Sequence, residues 1–588
     1  MSILSELSEQ FGAAFVALGL DVADGEVAAS QRPELAQFQC NGALGAAKRA
    51  GRNPRELAEA VIESLGDTSP FSELAVAGPG FINISLTDEA LADRVERVRL
   101  AAGVELTPAE RPLKMVIDYG GPNVAKELHV GHLRPAVIGE SLKRVMLALG
   151  HDTLGDVHLG DWGAPMGQLI AELEDRMPEL PYFDGDYTGP YPAESPVAME
   201  DFNEMYPIAS GRIESDADFK ERARRATAEL QQKRPGYLAL WQHFRTVSIE
   251  AIKAVYDELG VHFDLWNGES TVADRLHPLI ARLLESGVAR RSQGAVVVDV
   301  AAPDDKNEIP PLLMAKSDGA TLYTTWDVAT IEDRVEEYGA EAIIYIVDER
   351  QSLHFDQVFR ASRKAGIVGE SVILEHPGNG TVNGPDGKPL RTRDGGTPLL
   401  RGLIDDAIAR AASRLAENDL AAEYSDDERA EIARLVGLAA LKYGDLQNHR
   451  ASDYIFDLDR FVSFEGRTGP YLLYSSVRMK SILRKAGDQG LKPGRITPAT
   501  SEYDRNLMLA LLRLPEVVSR AADHRAPNHI ALYAYELAAE FSRFYEHCRV
   551  LDEPDSNQQA AWLGLVELAL RELSFLLDLL VLEVPERM

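Results

Sequence analysis

Residues 113–161 run from a short apolar segment through a glycine turn into a helical pattern and back to a second apolar segment, and few folds accommodate that order. LKMVIDYG reads as a strand that ends at Gly120-Gly121-Pro122. A helix follows from roughly Gly131 to Leu149 and is closed by Gly150, because glycine enters the left-handed conformation that ends helices without steric cost. DTLGDVHLGD then reads as a second strand. Two strands joined by a helical crossover make a βαβ unit, which implies a parallel sheet covered by helices.

The same grammar returns further on. Residues 168–290 are mostly helical, with a Pro/Tyr/Gly-rich loop near 181–195, and read as an insertion. AVVVDV, the helix YTTWDVATIEDRVEEYG, the strand AIIYIVD, the helix FDQVFRASRKAG and the strand SVILEHPGNGTV then resume the sheet. The expected fold class is α/β, a Rossmann-like parallel-sheet domain over 113–400 with an insertion at about 168–290. Residues 1–105 read as a separate α/β unit: a helix from Ile3 to about Leu18, helical stretches over 41–50 and 53–65, the latter opened by Asn53-Pro54, and the strand of GPGFINISL. Residues 101–113 look like a linker. Beyond 400 the chain is helical. A helical linking region covers 401–495, a polar Gly/Pro/Ser-bearing stretch spans 488–504, and an all-α domain covers 503–588.

Composition sets outer bounds. With 588 residues, at roughly 150 per domain, three to five domains are expected. Only Cys40 and Cys548 are present, so a disulfide framework is excluded and a cysteine-rich zinc site is not expected. The N-terminus has acids where a signal peptide needs bases, and no stretch approaches the ~18–20 apolar residues of a membrane span, so a soluble cytoplasmic protein is expected. A net charge of −32 argues against a nucleic-acid partner, yet phosphate binding follows local fields. Residues 478–495 hold six Lys/Arg and one acid: a basic patch, read equally as a solvated face or an RNA contact.

Four groups of residues carry chemistry. The first lies between the first strand and its helix: Asn123, Lys126, His129, Gly131 and His132. Ligands of parallel sheets bind outside the carboxyl ends of the strands, and helix N-termini favour phosphate. His129 and His132 are three apart and can face one point, Gly131 lets a ligand lie against the backbone, and Lys126 adds a mobile charge. Together they suit an ATP attacked at its α-phosphate. A pair of structural histidines is the alternative. The second group is Tyr323, Asp327 and Gln351, a carboxylate, phenol and amide able to read a guanidinium, although Asp327 alone reads as a solvated helix acid. The third is Gly387-Lys388-Pro-Leu-Arg391-Thr392-Arg393-Asp-Gly395, a glycine-rich basic loop able to close over a triphosphate, or a flexible surface loop. The fourth is the segment YAYELAAEFSRFYEHCRVL. It puts Tyr535, Phe541 and Tyr545 on a helix near Arg543 and Arg549, and most of these aromatics read as core.

The string NVAKELHVGHLRPAVIGESL resembles the extended HIGH signature of class I aminoacyl-tRNA synthetases, in its arginyl form. HLGDWGAPMGQLI, the segment from Tyr443 to Arg478 and the C-terminal EVPERM add to a resemblance that covers essentially the whole chain. It implies an enzyme that joins L-arginine to tRNA(Arg) through arginyl-adenylate, with ATP as substrate, Mg2+ on the ATP, no protein-bound metal, and a monomer. It further implies that Asn123, His129, Tyr323, Asp327 and Gln351 hold arginine. Lys126, His129, Gly131, His132 and Lys388 then hold ATP, and Arg391 and Arg393 join them in catalysis. Residues 1–105 would touch the outer corner of tRNA, and 503–588 the anticodon. Tyr545, Met588, Arg478 and Lys480 become tRNA contacts. The segment around Lys388 aligns with the KMSKS loop but lacks its second lysine, for which Lys126 is implied to substitute. A cysteinyl enzyme is disfavoured because its zinc-bound thiolate site needs cysteines this chain lacks, glutaminyl and glutamyl enzymes lack the long HIGH-flanking string, and a non-catalytic relative would be expected to have lost His129, His132 or Lys126. An enzyme loading a non-tRNA acceptor is disfavoured by the terminal RNA-binding units.

Overall fold

The structure, a computed structural model, describes residues 2–30, 32, 35–391, 397–417 and 424–588. Its centre is a parallel sheet of β1 (Lys114–Tyr119), β2 (Asp152–Asp156), β3 (Ala342–Ile346) and β4 (Ile373–Glu375), in the order β4-β3-β1-β2. From Met115 to Tyr119 every residue of β1 is buried, as is all of β3, because a parallel sheet is covered on both faces. Chain order reverses between β1 and β3, and the crevice there, at the carboxyl ends, is where such sheets bind ligands.

Three helices frame that crevice: α1 (Leu133–Ala148), α2 (Tyr323–Tyr338) and α3 (Ser352–Lys364). Helix α1 is capped at its C-terminus by Leu149, followed by Gly150 at φ +92°, close to the end its sequence implied. Helix α2 is fixed by a buried guanidinium. Arg334 lies between the carboxylates ending β1 and β2, 2.5 Å from Asp118 and 2.7 Å from Asp156, and over the Tyr345 ring of β3. Tyr323, Asp327 and Arg334 fall on one stripe of α2, since at about 100° per residue their spacings return to nearly the same azimuth. Anchoring Arg334 therefore aims Tyr323 and Asp327 at the crevice.

The insertion contributes helices Ala164–Arg176, Met199–Ser215, Ala217–Gln231 and Pro235–Leu259. The last of these returns to brace the turn after β1: Tyr256 donates to the Gly120 carbonyl at 2.5 Å, and Ser248 accepts from the Ala125 N–H at 2.8 Å. AVVVDV does not rejoin the parallel sheet. Ala295–Val298 pairs antiparallel with Ala289–Ser292 and Leu312–Ala315 in a separate three-stranded sheet. An apolar run alone does not choose its partners, and the hairpin turn at Gln293-Gly294 supplies a nearer one.

The N-terminal unit is an antiparallel sheet with helices, including Pro54–Glu63 capped by Asn53. A helix absent from the sequence reading, Asp88–Leu100, joins it to the C-terminal helices. Arg571 donates to the carbonyls of Val98 and Arg99 at its C-terminus, which satisfies acceptors that a helix end leaves open. The helices from Leu400 onward include Gly469–Asp488, Asn528–His547 and Ser556–Leu579.

Removing Arg334 leaves two buried carboxylates facing each other. Arg334→Met is expected to lower the stability of the sheet's unfolding transition by about 3–5 kcal/mol in urea denaturation, the usual cost of stripping one partner from a buried ion pair.

Candidate active site

The turn between β1 and α1 is held from three sides. Val124 donates to the Gly160 carbonyl at 3.0 Å, and Gly160 donates back to Pro122 at 3.1 Å. Glycine leaves room there for Asn123: a Cβ on residue 160 would stand 2.2 Å from its Oδ1 and displace that side chain. Val130 donates to the Pro398 carbonyl and Leu400 to the Leu128 carbonyl, so the chain leaving the basic loop is stitched to the histidine segment.

His129 and His132 do meet. Their ring centroids are 4.0 Å apart, across the short 3-10 turn Val130–His132. Gly131 N–H donates to His129 Nδ1 at 3.1 Å, and His129 N–H donates to His132 Nδ1 at 3.0 Å. With both Nδ1 atoms accepting, each neutral ring carries its proton on Nε2, which has no partner among the described residues and remains a donor. Gly131 allows this stacking, because a Cβ would come within 2.8 Å of the His129 ring. Burial, followed by the neighbouring His129, pushes the His132 imidazole down to about 3; burial and Lys126 also lower His129. The pair is uncharged at neutral pH. Cationic charge comes from Lys126, whose ammonium lies 4.2 Å from the Tyr206 ring centroid.

Across the crevice, Asp327 Oδ2 is 2.6 Å from His354 Nε2, and the Tyr323 ring, 64% exposed, lies 5.0 Å from the His354 ring. Gln351 caps the start of α3, one turn before His354. Its side chain is exposed and without a hydrogen bond among the described residues. Tyr323 and Asp327 thus meet at a histidine that sequence reading missed, although it stands only three residues after Gln351. Glu269 was also missed. It arrives from the insertion, accepts from the Trp162 N–H at 3.3 Å, and is raised above the usual carboxylate range by burial, with Asp161 and Asp327 pushing the same way. No sequence signal announced it. Asp118, Asp156 and His158 bring three ligand atoms within 4.8 Å, but Arg334 already supplies the positive charge between the carboxylates.

Lys388 is exposed at a tight turn in which Gly387, at φ +73°, donates to Gly384. Arg391 is exposed beside it, and Arg393 lies outside the described residues. The root of this loop pairs in parallel with Tyr454–Ile455. In the C-terminal helices, Arg478 stacks 4.7 Å from the Tyr545 ring centroid, and Phe541, fully buried, stacks on Tyr545. Lys480 instead pairs with Glu586 at 3.0 Å, and Met588 is partly buried against the core.

Three family models match the chain: tRNA synthetases class I (R), catalytic domain, over residues 98–458; the DALR anticodon binding domain over 472–588; and the arginyl tRNA synthetase N terminal domain over 2–86. Similar curated proteins include the arginine–tRNA ligases of Maricaulis maris, 48% identical, and Alkaliphilus oremlandii, 45% identical, each over the whole of both chains. The chain belongs to the arginyl-tRNA synthetase family. The crystal structure of the Plasmodium falciparum arginyl-tRNA synthetase has the same fold, with a TM-score of 0.81 at 23% identity, covering 100% of this chain and 99% of that one. Among the described residues, no helix is long and apolar enough to cross a membrane. Family membership gives the facing groups a common setting: a neutral histidine pair at one end of the crevice and a carboxylate-rich wall at the other.

The depressed His132 pKa has a stability consequence of definite sign. The unfolded ring protonates near 6.5 while the folded ring stays neutral to about 3, so stability is intact above 6.5 and lost as pH falls below it. His132→Gln is expected to remove about 2.5 kcal/mol of the parent's loss between pH 7 and pH 4.5, at about 1.4 kcal/mol per pH unit, read from denaturation midpoints at the two pH values.

Proposed function

We propose that this arginine–tRNA ligase acts in two steps within the crevice. The arginine carboxylate attacks the α-phosphate of ATP to give arginyl-adenylate and pyrophosphate. The 2′-OH of the terminal adenosine of tRNA(Arg) then takes the arginyl group. The observation carrying this reading is Asp327, held by His354 beside Tyr323 on the stripe that Arg334 anchors. A carboxylate so oriented takes a guanidinium in a paired, planar contact.

In this assignment Tyr323, Asp327 and Gln351 read the arginine side chain, and Asn123 and His129 receive its α-amino end. The Nε2–H groups of His129 and His132 donate to ATP, Gly131 leaves space for it, and Lys126 and Lys388 neutralise its phosphates. Arg391 and Arg393 close with the basic loop as pyrophosphate forms. Catalysis is positioning and charge stabilisation, without a covalent enzyme intermediate. Mg2+ travels on the ATP phosphates and supplies charge neutralisation there. Arg334 fills the nearest group of potential ligands, so no resident metal is assigned. The tRNA contacts are Arg478 and Tyr545, which share a stack, with Lys480 and Met588 near the chain's end. The N-terminal unit meets the outer corner of the tRNA. The enzyme works in the cytoplasm as a monomer.

ATP–pyrophosphate exchange with each of the twenty amino acids, with and without total tRNA, tests the reading. Exchange with arginine alone, and only when tRNA is present, is the expected result. Exchange with a different amino acid would overturn the Tyr323–Asp327–Gln351 pocket, and none at all would leave a non-catalytic tRNA-binding protein.

A further inference from the structure

Lys126 has an unusual place for a phosphate-neutralising cation. It follows Ala125, a non-glycine residue held at φ +64° by the Ser248 hydroxyl, so the backbone direction from which its side chain departs is fixed. Among the described residues its ammonium makes no ion pair and no hydrogen bond. Its one recorded partner is the face of Tyr206, 4.2 Å from the ring centroid. A four-carbon stem with a strongly hydrated head has much rotamer freedom to lose, so a free Lys126 would spend little time pointing at one phosphate.

Tyr206 is itself well placed to restrain it. It lies on the insertion helix Met199–Ser215, at the margin of the side that buries Phe202, Met205 and Ala209, and it is followed by Pro207, which fixes the backbone at that turn. Met199, at the start of the same helix, lines a small cavity with Lys126, Leu128 and Leu399, so this helix flanks the lysine along two turns. The held ammonium is near enough to the histidine pair to depress both rings. Its charge therefore bears on the position where the proposed nucleotide phosphates lie.

We propose that Tyr206 is a positioning residue for the adenylation step: its ring holds the Lys126 ammonium toward the ATP phosphates by a cation–π contact. The inference rests on the phosphate role assigned to Lys126. Tyr206 touches no substrate. It limits where the lysine charge can be, and so links the insertion to the nucleotide end of the crevice.

A double-mutant cycle in the full chain tests it, using arginine-dependent ATP–pyrophosphate exchange with tRNA present. Tyr206→Leu is expected to lower kcat/KM for ATP roughly ten-fold, the scale of a partly desolvated cation–π contact, with KM for arginine unchanged. Tyr206→Phe, which keeps the ring, retains the parent rate. In a Lys126→Met background Tyr206→Leu has no further effect. A Leu effect of the same size in that background, a Phe variant as impaired as Leu, or a raised KM for arginine overturns the role of Tyr206. Lys126→Met at the full parent rate overturns the phosphate role of Lys126 and this inference with it, and that outcome is distinct from an impaired Lys126→Met with additive effects.

Discussion

One buried guanidinium organises the crevice. Arg334 is almost wholly shielded from water, and it pairs with a carboxylate at the end of each of two neighbouring strands. A buried ion pair is weak evidence for net stability, because desolvation offsets much of the attraction. Its value here is in fixing position. Two carboxylates and the Tyr345 ring hold α2 in azimuth and height against β1, β2 and β3. From Arg334 back to Asp327 is about two helical turns, roughly 10 Å, along the same stripe. The arginine-facing side chains are thereby set by the rigid interior and not by the loop that precedes α2.

The nucleotide end is built by convergence. Backbone bonds from Gly160, Pro398 and Leu400 and the hydroxyl groups of Ser248 and Tyr256 all close on the dozen residues between β1 and α1. Arg134, on the first turn of α1, donates to the carbonyls of His449 and Ser452, which brings the C-terminal helical region to the same point. The basic loop is therefore rooted twice, at Tyr454–Ile455 on one side and at Leu128–Val130 on the other.

Much of this was legible beforehand. The βαβ grammar, the capping by Asn53 and Gly150, and the meeting of His129 with His132 follow from local rules of turn and helix geometry, which the tertiary structure did not override. What escaped was set by long-range pairing. Ala295–Val298 looked like a strand of the parallel sheet because its apolar run is ambiguous, and a hairpin claimed it. Glu269 reaches the Trp162 N–H from an insertion that no periodicity could place. His354 carries no motif of its own, and only its contact with Asp327 brings it into the site. Lys480 sits in a basic patch by sequence, yet it spends its charge on Glu586. Charge counts along a chain do not see such partners.

The most direct test of the account is a change of substrate. Citrulline matches arginine in shape but presents a neutral ureido group. If Asp327 reads the guanidinium charge, Asp327→Asn should lose arginine activation and shift the citrulline-to-arginine ratio of kcat/KM in pyrophosphate exchange by roughly ten- to a hundred-fold toward citrulline, the scale of repairing one or two mismatched buried polar contacts. An Asp327→Asn variant that kept the parent's preference for arginine would contradict the account.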